Sequence, residues 1–195
     1  MVRAAMAHPP WYWLSEPLAM DFANTIHRRG MVDHDHLRTG ADVASWCEHE
    51  PPRVPRVTAR AASARMAEIR GLRDDVHAVL RATVDATPLP GAAVGRINAR
   101  ARALPIVAQI GDGPGDRREV TATRAGAVDE LLALIAADAI VIVGDGGTGA
   151  VRFCDAPSCG GFFAPERANQ RWCDDSCGTR ARVARHAAGH RTRGD

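Results

Sequence analysis

The sequence contains no long apolar run and no lysine. Its longest apolar stretch, from Ala136 to Gly144, is interrupted by Asp138 and is too short to span a bilayer. The first ten residues hold one arginine and no apolar segment of the length that a secretory signal requires. These absences argue against a membrane protein or an exported protein, so we expect a cytoplasmic one.

The composition is that of a globular protein with a basic C-terminal part. Hydrophobic residues make up 46% of the chain and charged residues 25%, which excludes wholesale disorder. Because lysine is absent, all 25 basic residues are arginines. Residues 1–150 hold 17 arginines and 18 acidic residues, whereas residues 151–195 hold 8 arginines and 5 acidic residues. The C-terminal part is therefore net positive, and its guanidinium groups are planar forks suited to phosphates and base edges.

Four of the five cysteines lie close together near the C-terminus: Cys154, Cys159, Cys173 and Cys177. Two close pairs separated by 13 residues are typical of Zn²⁺ held by four thiolates, because each pair approaches the metal from one turn and the insert folds back. Four thiolates leave no open position for water, so this zinc would be structural and not catalytic. Disulfide bonds and an iron–sulfur or redox site are the alternatives, and a reducing compartment favours a metal over disulfides.

The residues around the cysteines predict a small finger with a C-terminal helix. Two short apolar stretches, 151–154 and 161–164, flank a knuckle at 155–158. Residues 174–188 have helical character, with acidic residues at the start where the helix dipole is positive. A knuckle, a hairpin and a helix with metal ligands in its first turn form a treble-clef-like zinc finger.

Four segments that contain the cysteines resemble the CGNR zinc finger of bacterial proteins: 152–154, 159–163, 171–173 and 177–180. Residues 18–25 and 42–46 resemble the opening of the ABATE domain, which usually precedes that finger. The resemblance implies an ABATE-like domain over 1–150, a CGNR-type finger over 151–195, and a function as a stress-induced transcription regulator.

The resemblance also marks four residues of the finger as a structural motif: Trp172, Gly178, Thr179 and Arg180. Thr179 stands where the family signature has asparagine, and its hydroxyl can keep one hydrogen bond. We expect Arg180 to be structural, with its guanidinium stacked on Trp172 or bonded to backbone carbonyls.

The C-terminal helix is predicted to present a basic face to nucleic acid. On a helical wheel Arg182, Arg185 and His186 share one face, and Arg191 and Arg193 follow them, so these five residues are the predicted contacts. A second stripe is apolar and is expected to pack on the hairpin; it consists of Val183, Ala184 and Ala187.

Two functions remain open for such a finger. Zinc modules commonly hold a helix against a nucleic-acid groove, which favours a DNA-binding transcription regulator. The alternative is a zinc-stabilised module that recognises a protein without touching DNA. A single short finger has few side chains that read bases, so sequence-specific DNA binding is expected to need a homodimer.

Residues 1–150 predict a mainly helical α+β domain with a small β-hairpin. Helices are expected at 41–49, 58–86, 92–103 and 126–137, and the hairpin strands at 106–110 and 119–123. Residues 139–143 suit either a strand or a continuation of the preceding helix.

Three polar residues of the N-terminal domain are candidates for a ligand pocket: Asp21, Asn24 and Thr25. They are interleaved with apolar residues, and such side chains can line a small-molecule site between helices. The domain would then sense a small-molecule effector. A further alternative is that the whole protein is such a sensor and does not contact DNA directly. The structural alternative is that the three residues cap the N-terminal segment and hydrogen-bond it to the core.

An enzyme is not expected. The glycine-rich segment 143–149 has dinucleotide-site spacing but no room for a βαβ unit before the finger, so a hairpin turn is predicted there. His34, Asp35 and His36 are expected in a solvated loop, and Cys47 as a small buried side chain. No nucleophile, base and orienting group come together in the sequence.

Overall fold

The computed structural model describes residues 15–29, 32–50, 54–115, 117–121, 123–144 and 147–191. Its helices are α1 (Leu18–Ala23), α2 (Gly40–His49), α3 (Ala59–Ser63), α4 (Met66–Val84), α5 (Gly91–Ala103), α6 (Ala127–Gly144), α7 (Gly147–Ala150) and α8 (Asp175–Arg191). The strands pair in three antiparallel sheets: β1 (Ile26–Arg29) with β2 (Val32–Asp35), β3 (Ile106–Ile110) with β4 (Arg117–Thr121), and β5 (Arg152–Phe153) with β6 (Phe162–Phe163). The predicted mainly helical α+β class is confirmed.

The main core lies between α1, α4 and α6. The apolar stripe of α4 supplies Ile69, Val76 and Leu80, none of which is exposed to solvent. α6 faces it with buried side chains that include Leu132 and Ile135, and α1 packs against both helices. Spacing of apolar residues every three or four positions is what brings each of these helices into one core. No helix in the described part of the chain is both long enough and apolar enough to cross a membrane.

α6 is one helix of 18 residues, so residues 139–143 continue it and form no strand. Asp138 is the charged residue that interrupts its apolar sequence. The carboxylate accepts a hydrogen bond from the backbone N–H of Ala19 at 2.8 Å, near the start of α1. Because α1 supplies this N–H donor, α6 can carry an acidic residue on the side that packs against α1.

The single helix predicted over 58–86 is wrong, because the chain forms α3 and α4 with a break at Ala64 and Arg65. α3 lies against the start of α2. A Cβ on Gly40 would sit 2.2 Å from the backbone oxygen of Ala59, so the glycine permits this close approach. The break lets α3 remain on α2 while α4 turns into the main core.

Two further predictions on loops are wrong. The hairpin turn predicted over 143–149 is not seen at the described residues of this range, because α6 runs to Gly144 and the one-turn helix α7 begins at Gly147. Residues 145 and 146 lie outside the described residues. His34 and Asp35 belong to β2 and not to a solvated loop.

Arg73, which is 2% exposed, donates to both carboxylate oxygens of Asp35 at 2.7 and 2.9 Å. Burial raises the pKa of Asp35, but the hydrogen bonds from Arg73 and the Leu37 N–H, together with the charges of Arg73 and Arg70, hold the pKa below its ordinary value.

The predicted hairpin is present with a shifted second strand. β3 occupies 106–110 as expected, but β4 occupies 117–121 and not 119–123. The register pairs Ile110 with Arg117 and Ile106 with Thr121, so the strands begin to pair directly after the glycine-rich turn. The sheet of β1 and β2 was not predicted.

The finger is joined to the N-terminal helices through two adjacent phenylalanines. Phe162 belongs to the main core, where its ring lies 5.0 Å from that of His77 on α4. Phe163 belongs to a second core within the finger. Neither side chain is exposed, because successive residues of a strand face opposite sides. β6 therefore contributes to both cores at once.

Buried hydrogen bonds reinforce this junction. The Asn24 side chain, which follows α1, donates from Nδ2 to the Phe162 carbonyl at 2.8 Å and accepts from the Phe162 N–H at 2.7 Å. Nearby, the Glu16 carboxylate accepts from the Ala164 N–H at 2.8 Å. The amide of Asn24 thus pairs with β6 as a neighbouring strand would.

Replacing Asn24 with alanine is expected to destabilise the whole protein. The substitution leaves a buried N–H and a buried carbonyl without partners, which costs roughly 2 to 6 kcal/mol of unfolding free energy. Urea denaturation followed by circular dichroism measures the loss. Asn169→Ala, at an exposed position of the finger loop, is the matched control. A loss below about 1 kcal/mol for Asn24→Ala would show that the junction contributes little.

Candidate metal centre and its basic helix

A tight knuckle brings the first two cysteines together. The Cys154 N–H donates to the Gly161 carbonyl at 2.8 Å, and the Cys159 N–H donates to the Ala156 carbonyl at 3.0 Å. The chain then turns back at Gly160, whose φ of 76° lies in the left-handed region that glycine adopts readily. These bonds direct both sulfurs to one side of the β5–β6 hairpin.

The start of α8 supplies the second pair. Cys173 precedes the helix, and Cys177 lies in its first turn. The Asp174 carboxylate accepts from the Cys177 N–H at 2.7 Å, as a helix N-cap does. The cap and the two thiols therefore fix where the helix begins and how it is oriented.

The four sulfurs converge on one point. The Sγ atoms of Cys154, Cys159, Cys173 and Cys177 all lie within 4.8 Å of one another. Cys173 Sγ is 3.6 Å from Cys159 Sγ and 3.4 Å from Cys177 Sγ. A tetrahedron with Zn–S bonds of about 2.3 Å has edges of about 3.8 Å, whereas a disulfide needs about 2.05 Å. The sulfur separations fit a tetrahedral metal and no disulfide, and none of these cysteines is oxidised.

The ionisation of the thiols also fits a cation. Hydrogen bonds from the Cys159 and Cys173 thiols hold the pKa of Cys154 well below its usual range. Each of these two thiols donates to the Cys154 thiolate and would lose that hydrogen bond on ionising, which raises the pKa of Cys159 and of Cys173. Burial raises the pKa of Cys177 to about 12. Four thiolates are compatible at this point when a divalent cation offsets their charge, which is the role of structural zinc.

The finger has its own small core around the sulfurs. Ala156 and Phe163 are buried beside the cysteines, and Trp172 packs partly buried against them. Trp172 lies across Gly178, where a Cβ would come 3.1 Å from the indole Cδ1. A larger side chain at position 178 would push the indole away, so the glycine keeps the first turn of α8 close to the finger.

Arg180 contacts the metal centre and neither of its predicted partners. Its Nη2 donates to Cys177 Sγ at 2.8 Å, and among the described residues its guanidinium does not lie over the Trp172 ring. The cation over the Trp172 ring is Arg171, whose guanidinium carbon lies 5.2 Å from the ring centroid. A charge-assisted hydrogen bond to a thiolate reduces the negative charge that four sulfurs place on the metal.

Thr179 forms local hydrogen bonds on the exposed side of α8. Its hydroxyl donates to the Asp175 carbonyl at 3.0 Å and accepts from Arg182 Nη2 at 3.0 Å. The hydroxyl therefore provides a hydrogen bond within the helix and orients one of the predicted nucleic-acid contacts.

The expected packing of an apolar stripe on the hairpin is wrong. Val183 is 64% exposed, and Ala184 and Ala187 are also exposed. Among the residues of α8 whose burial the structure describes, the buried ones are Cys177, Gly178 and Ala181. The finger covers the face of the helix that carries these residues, whereas Val183 lies on the opposite face, so its side chain is left in solvent.

The predicted nucleic-acid contacts lie on the exposed part of α8 where the structure describes them. Arg182, Arg185 and His186 are exposed on the helix surface. Arg191 is the last residue of α8, but its side chain is not among those described, and Arg193 lies outside the described residues. The assignment of these five residues to nucleic acid stays a prediction.

Sequence reasoning missed the residues that shape the loop before α8. Arg152 on β5 donates to the carbonyls of Gln170 and Ala168 at 2.6 and 2.5 Å and so holds this loop. Beside it is an open groove, lined by the loop and by α8, that includes Arg167, Arg171 and Arg182 as well as the acidic residues Glu166, Asp174 and Asp175. The excess of arginine after position 151 is the feature of the sequence that could have indicated these contacts.

The three pocket candidates are buried at the junction. Asn24 bonds β6, and the Thr25 hydroxyl donates to the Phe22 carbonyl at 2.7 Å and accepts from Arg73 at 3.2 Å. Asp21 is 4% exposed. These contacts agree with the structural alternative for Asn24 and Thr25.

Zinc content is expected to depend on the clustered cysteines alone. Mass spectrometry of the purified protein should give about one zinc per chain, and Cys173→Ala should abolish it because a tetrahedral site needs all four sulfurs. Cys47→Ala is the matched control: burial raises the pKa of that thiol to about 12, and it lies outside the cluster. A zinc-free wild type, or zinc retained by Cys173→Ala, would contradict the site.

Arg180→Gln is expected to weaken zinc retention. Loss of a group that contacts a metal ligand typically lowers metal affinity by about 10- to 100-fold. Competition with a chromophoric chelator measures the change. Arg182→Gln removes the same charge two positions further along α8 without touching a sulfur, so it should leave the affinity within about twofold of wild type. If the two substitutions lower the zinc affinity equally, the loss comes from the change in net charge and not from the hydrogen bond to Cys177.

Comparison with known families agrees with this arrangement. A family model named ABATE, described as "Putative stress-induced transcription regulator", matches residues 16–146. The model of the CGNR zinc finger matches residues 151–190, which include all four clustered cysteines. A search of curated proteins found no match. Since the first model covers more than half of the 195 residues, the chain belongs to the ABATE family and carries a CGNR zinc finger after the ABATE region.

Proposed function

We propose that the protein is a DNA-binding transcription regulator whose zinc finger presents α8 to DNA. In this proposal residues 1–150 form the regulatory domain and residues 151–195 the DNA-binding finger. Arg182, Arg185 and His186 contact phosphates or bases, and Arg191 and Arg193 extend the contact. The observation that carries the proposal is an arginine-rich helix whose first turns are fixed by the metal centre and whose remainder is exposed.

The dimensions of α8 support this function. From Arg182 to Arg191 the helix is about 15 Å long at 1.5 Å per residue. The major groove of B-DNA is about 12 Å wide and accepts one α-helix. The exposed part of α8 is therefore long enough to lie in or across a groove while the finger stays outside it.

The distribution of charge supports it as well. α8 carries four arginines and one acidic residue, and Arg167 and Arg171 lie beside Arg182 on the adjoining groove. Arginines at the edge of a helix contact the phosphates that flank a groove and orient the helix on the duplex. The number of side chains that reach bases is small, so sequence-specific binding is proposed to involve two copies of the chain.

The salt dependence of DNA binding tests the proposal. Each neutralised phosphate contributes about −0.9 to the slope of log K against log salt. Arg182→Ala with Arg185→Ala should therefore reduce the slope by about two. Fluorescence anisotropy with duplex genomic fragments, from low to physiological salt, measures both the affinity and the slope.

The matched control removes two arginines of the N-terminal region. Arg60 and Arg102 are exposed there and lie outside the finger, so Arg60→Ala with Arg102→Ala gives the same charge change. This control should leave the slope unchanged. If the zinc-loaded wild type binds no DNA at low salt, or if both double variants lower the slope equally, the proposal is wrong.

A protein-interaction module is the second candidate, and the exposure of Val183 favours it. This side chain is 64% exposed on the face of α8 opposite the finger. An apolar residue in that position suits a protein surface better than a phosphate backbone. Failure to bind DNA at low salt, together with an intact zinc site, is the result that would favour this candidate.

A further inference from the structure

An apolar groove lies between α4, α5 and α6, away from the finger and from the three pocket candidates of the N-terminal segment. Its volume is about 160 Å³. Side chains from the three helices and from the α4–α5 loop line it, and the larger ones are Val79, Leu89, Val94, Ile97, Ile140 and Val143. Val79 and Ile97 are buried at its floor, whereas Leu89 and Ile140 are each 40% exposed. The groove is thus a formed concave site with an open rim.

The size of the groove matches one ring and not a protein partner. Apolar cavities of about 150 Å³ accept benzene. A stable dimer needs about 800 Å² of surface from each partner. In the described part of the chain, the large apolar side chains exposed near the groove are Leu89, Ile140 and Val141, which is a much smaller patch.

One residue with a polar side chain lines this groove, and it is partly buried. Among the described residues that line the groove, Asn98 alone has a polar side chain. Its amide has no hydrogen-bond partner among the described residues. Small-molecule sites typically combine apolar walls with a few polar groups that orient the ligand. Asn98 is able to act in this way because an amide both donates and accepts.

The groove shares α4 with the finger. Val79 lies in the groove, while His77 and Arg81, on the opposite side of the same helix, contact Phe162 and Phe153 of the finger. The Arg81 guanidinium carbon lies 4.4 Å from the Phe153 ring centroid. Because the finger packs on a helix that lines the groove, ligand binding should be measured on the zinc-loaded full-length protein.

We propose that this groove binds a small, largely apolar molecule of about one ring that carries one hydrogen-bonding group, with Asn98 contacting that group. The ligand class follows from the volume, the apolar walls and the single unpartnered amide. The site is distinct from Asp21, Asn24 and Thr25, and it does not depend on whether α8 binds DNA.

Phenol and toluene are suitable probes because they differ by one hydroxyl in place of one methyl. Nuclear magnetic resonance titration of the ¹⁵N-labelled protein should show saturable shifts at the amides of Val79, Ile97 and Val143, with dissociation constants of about 1 mM. Asn98→Ala should weaken phenol by about 2- to 10-fold relative to toluene, which is the effect of one hydrogen bond.

A neighbouring pair of variants tests the location. Ile140→Trp fills the groove and should weaken both probes at least about tenfold. Val141→Trp adds the same ring to the next residue, which does not line the groove, and should leave binding within about twofold. Thermal melts of both variants check that they fold.

Three results would overturn the proposal. The first is the absence of shifts at these amides with 5 mM of either probe. The second is equal weakening by the two tryptophan variants, or an unchanged phenol-to-toluene ratio in Asn98→Ala. The third is a wild-type dimer in analytical ultracentrifugation that Ile140→Trp dissociates and Val141→Trp does not, which would make the groove an interface between two copies.

Discussion

Repulsion among four close thiolates is the constraint on which the C-terminal part depends. The sulfurs lie within 4.8 Å of one another, so four negative charges there would repel one another strongly. A divalent cation removes that conflict and joins the knuckle to the start of α8. Arg180 adds a positive group at Cys177. The orientation of the exposed basic helix thus follows from a few atoms at its first turn.

The metal centre is also tied to the N-terminal helices, so the finger is not an independent appendage. Phe162 and Phe163 are neighbours, yet one lies in the main core and the other beside the sulfurs. Asn24 pairs with the same strand through two buried hydrogen bonds. The finger therefore contacts both α1 and α4 through buried side chains.

Much of the helical fold could be predicted from local pattern. The helices expected at 41–49 and 92–103 are present as α2 and α5, and the apolar stripe of α4 is buried. The failures occur where distant segments intervene. The break before α4 accompanies the close contact of α3 with Gly40. Residues 139–143, for which the sequence left strand and helix open, continue α6. The exposure of Val183 depends on which face of α8 packs against the finger.

The sequence alone determined that a thiolate metal site lies beside a basic helix. The spacing of the four cysteines predicts the site, and the arginines that follow them predict the basic helix. Tertiary structure decided which side chains surround that site. It placed Arg180 on a sulfur, Asn24 on β6 and Asn98 at an apolar groove. The physical reason is that ligand spacing is a local property of the chain, whereas burial and hydrogen-bond partners depend on residues up to 148 positions apart.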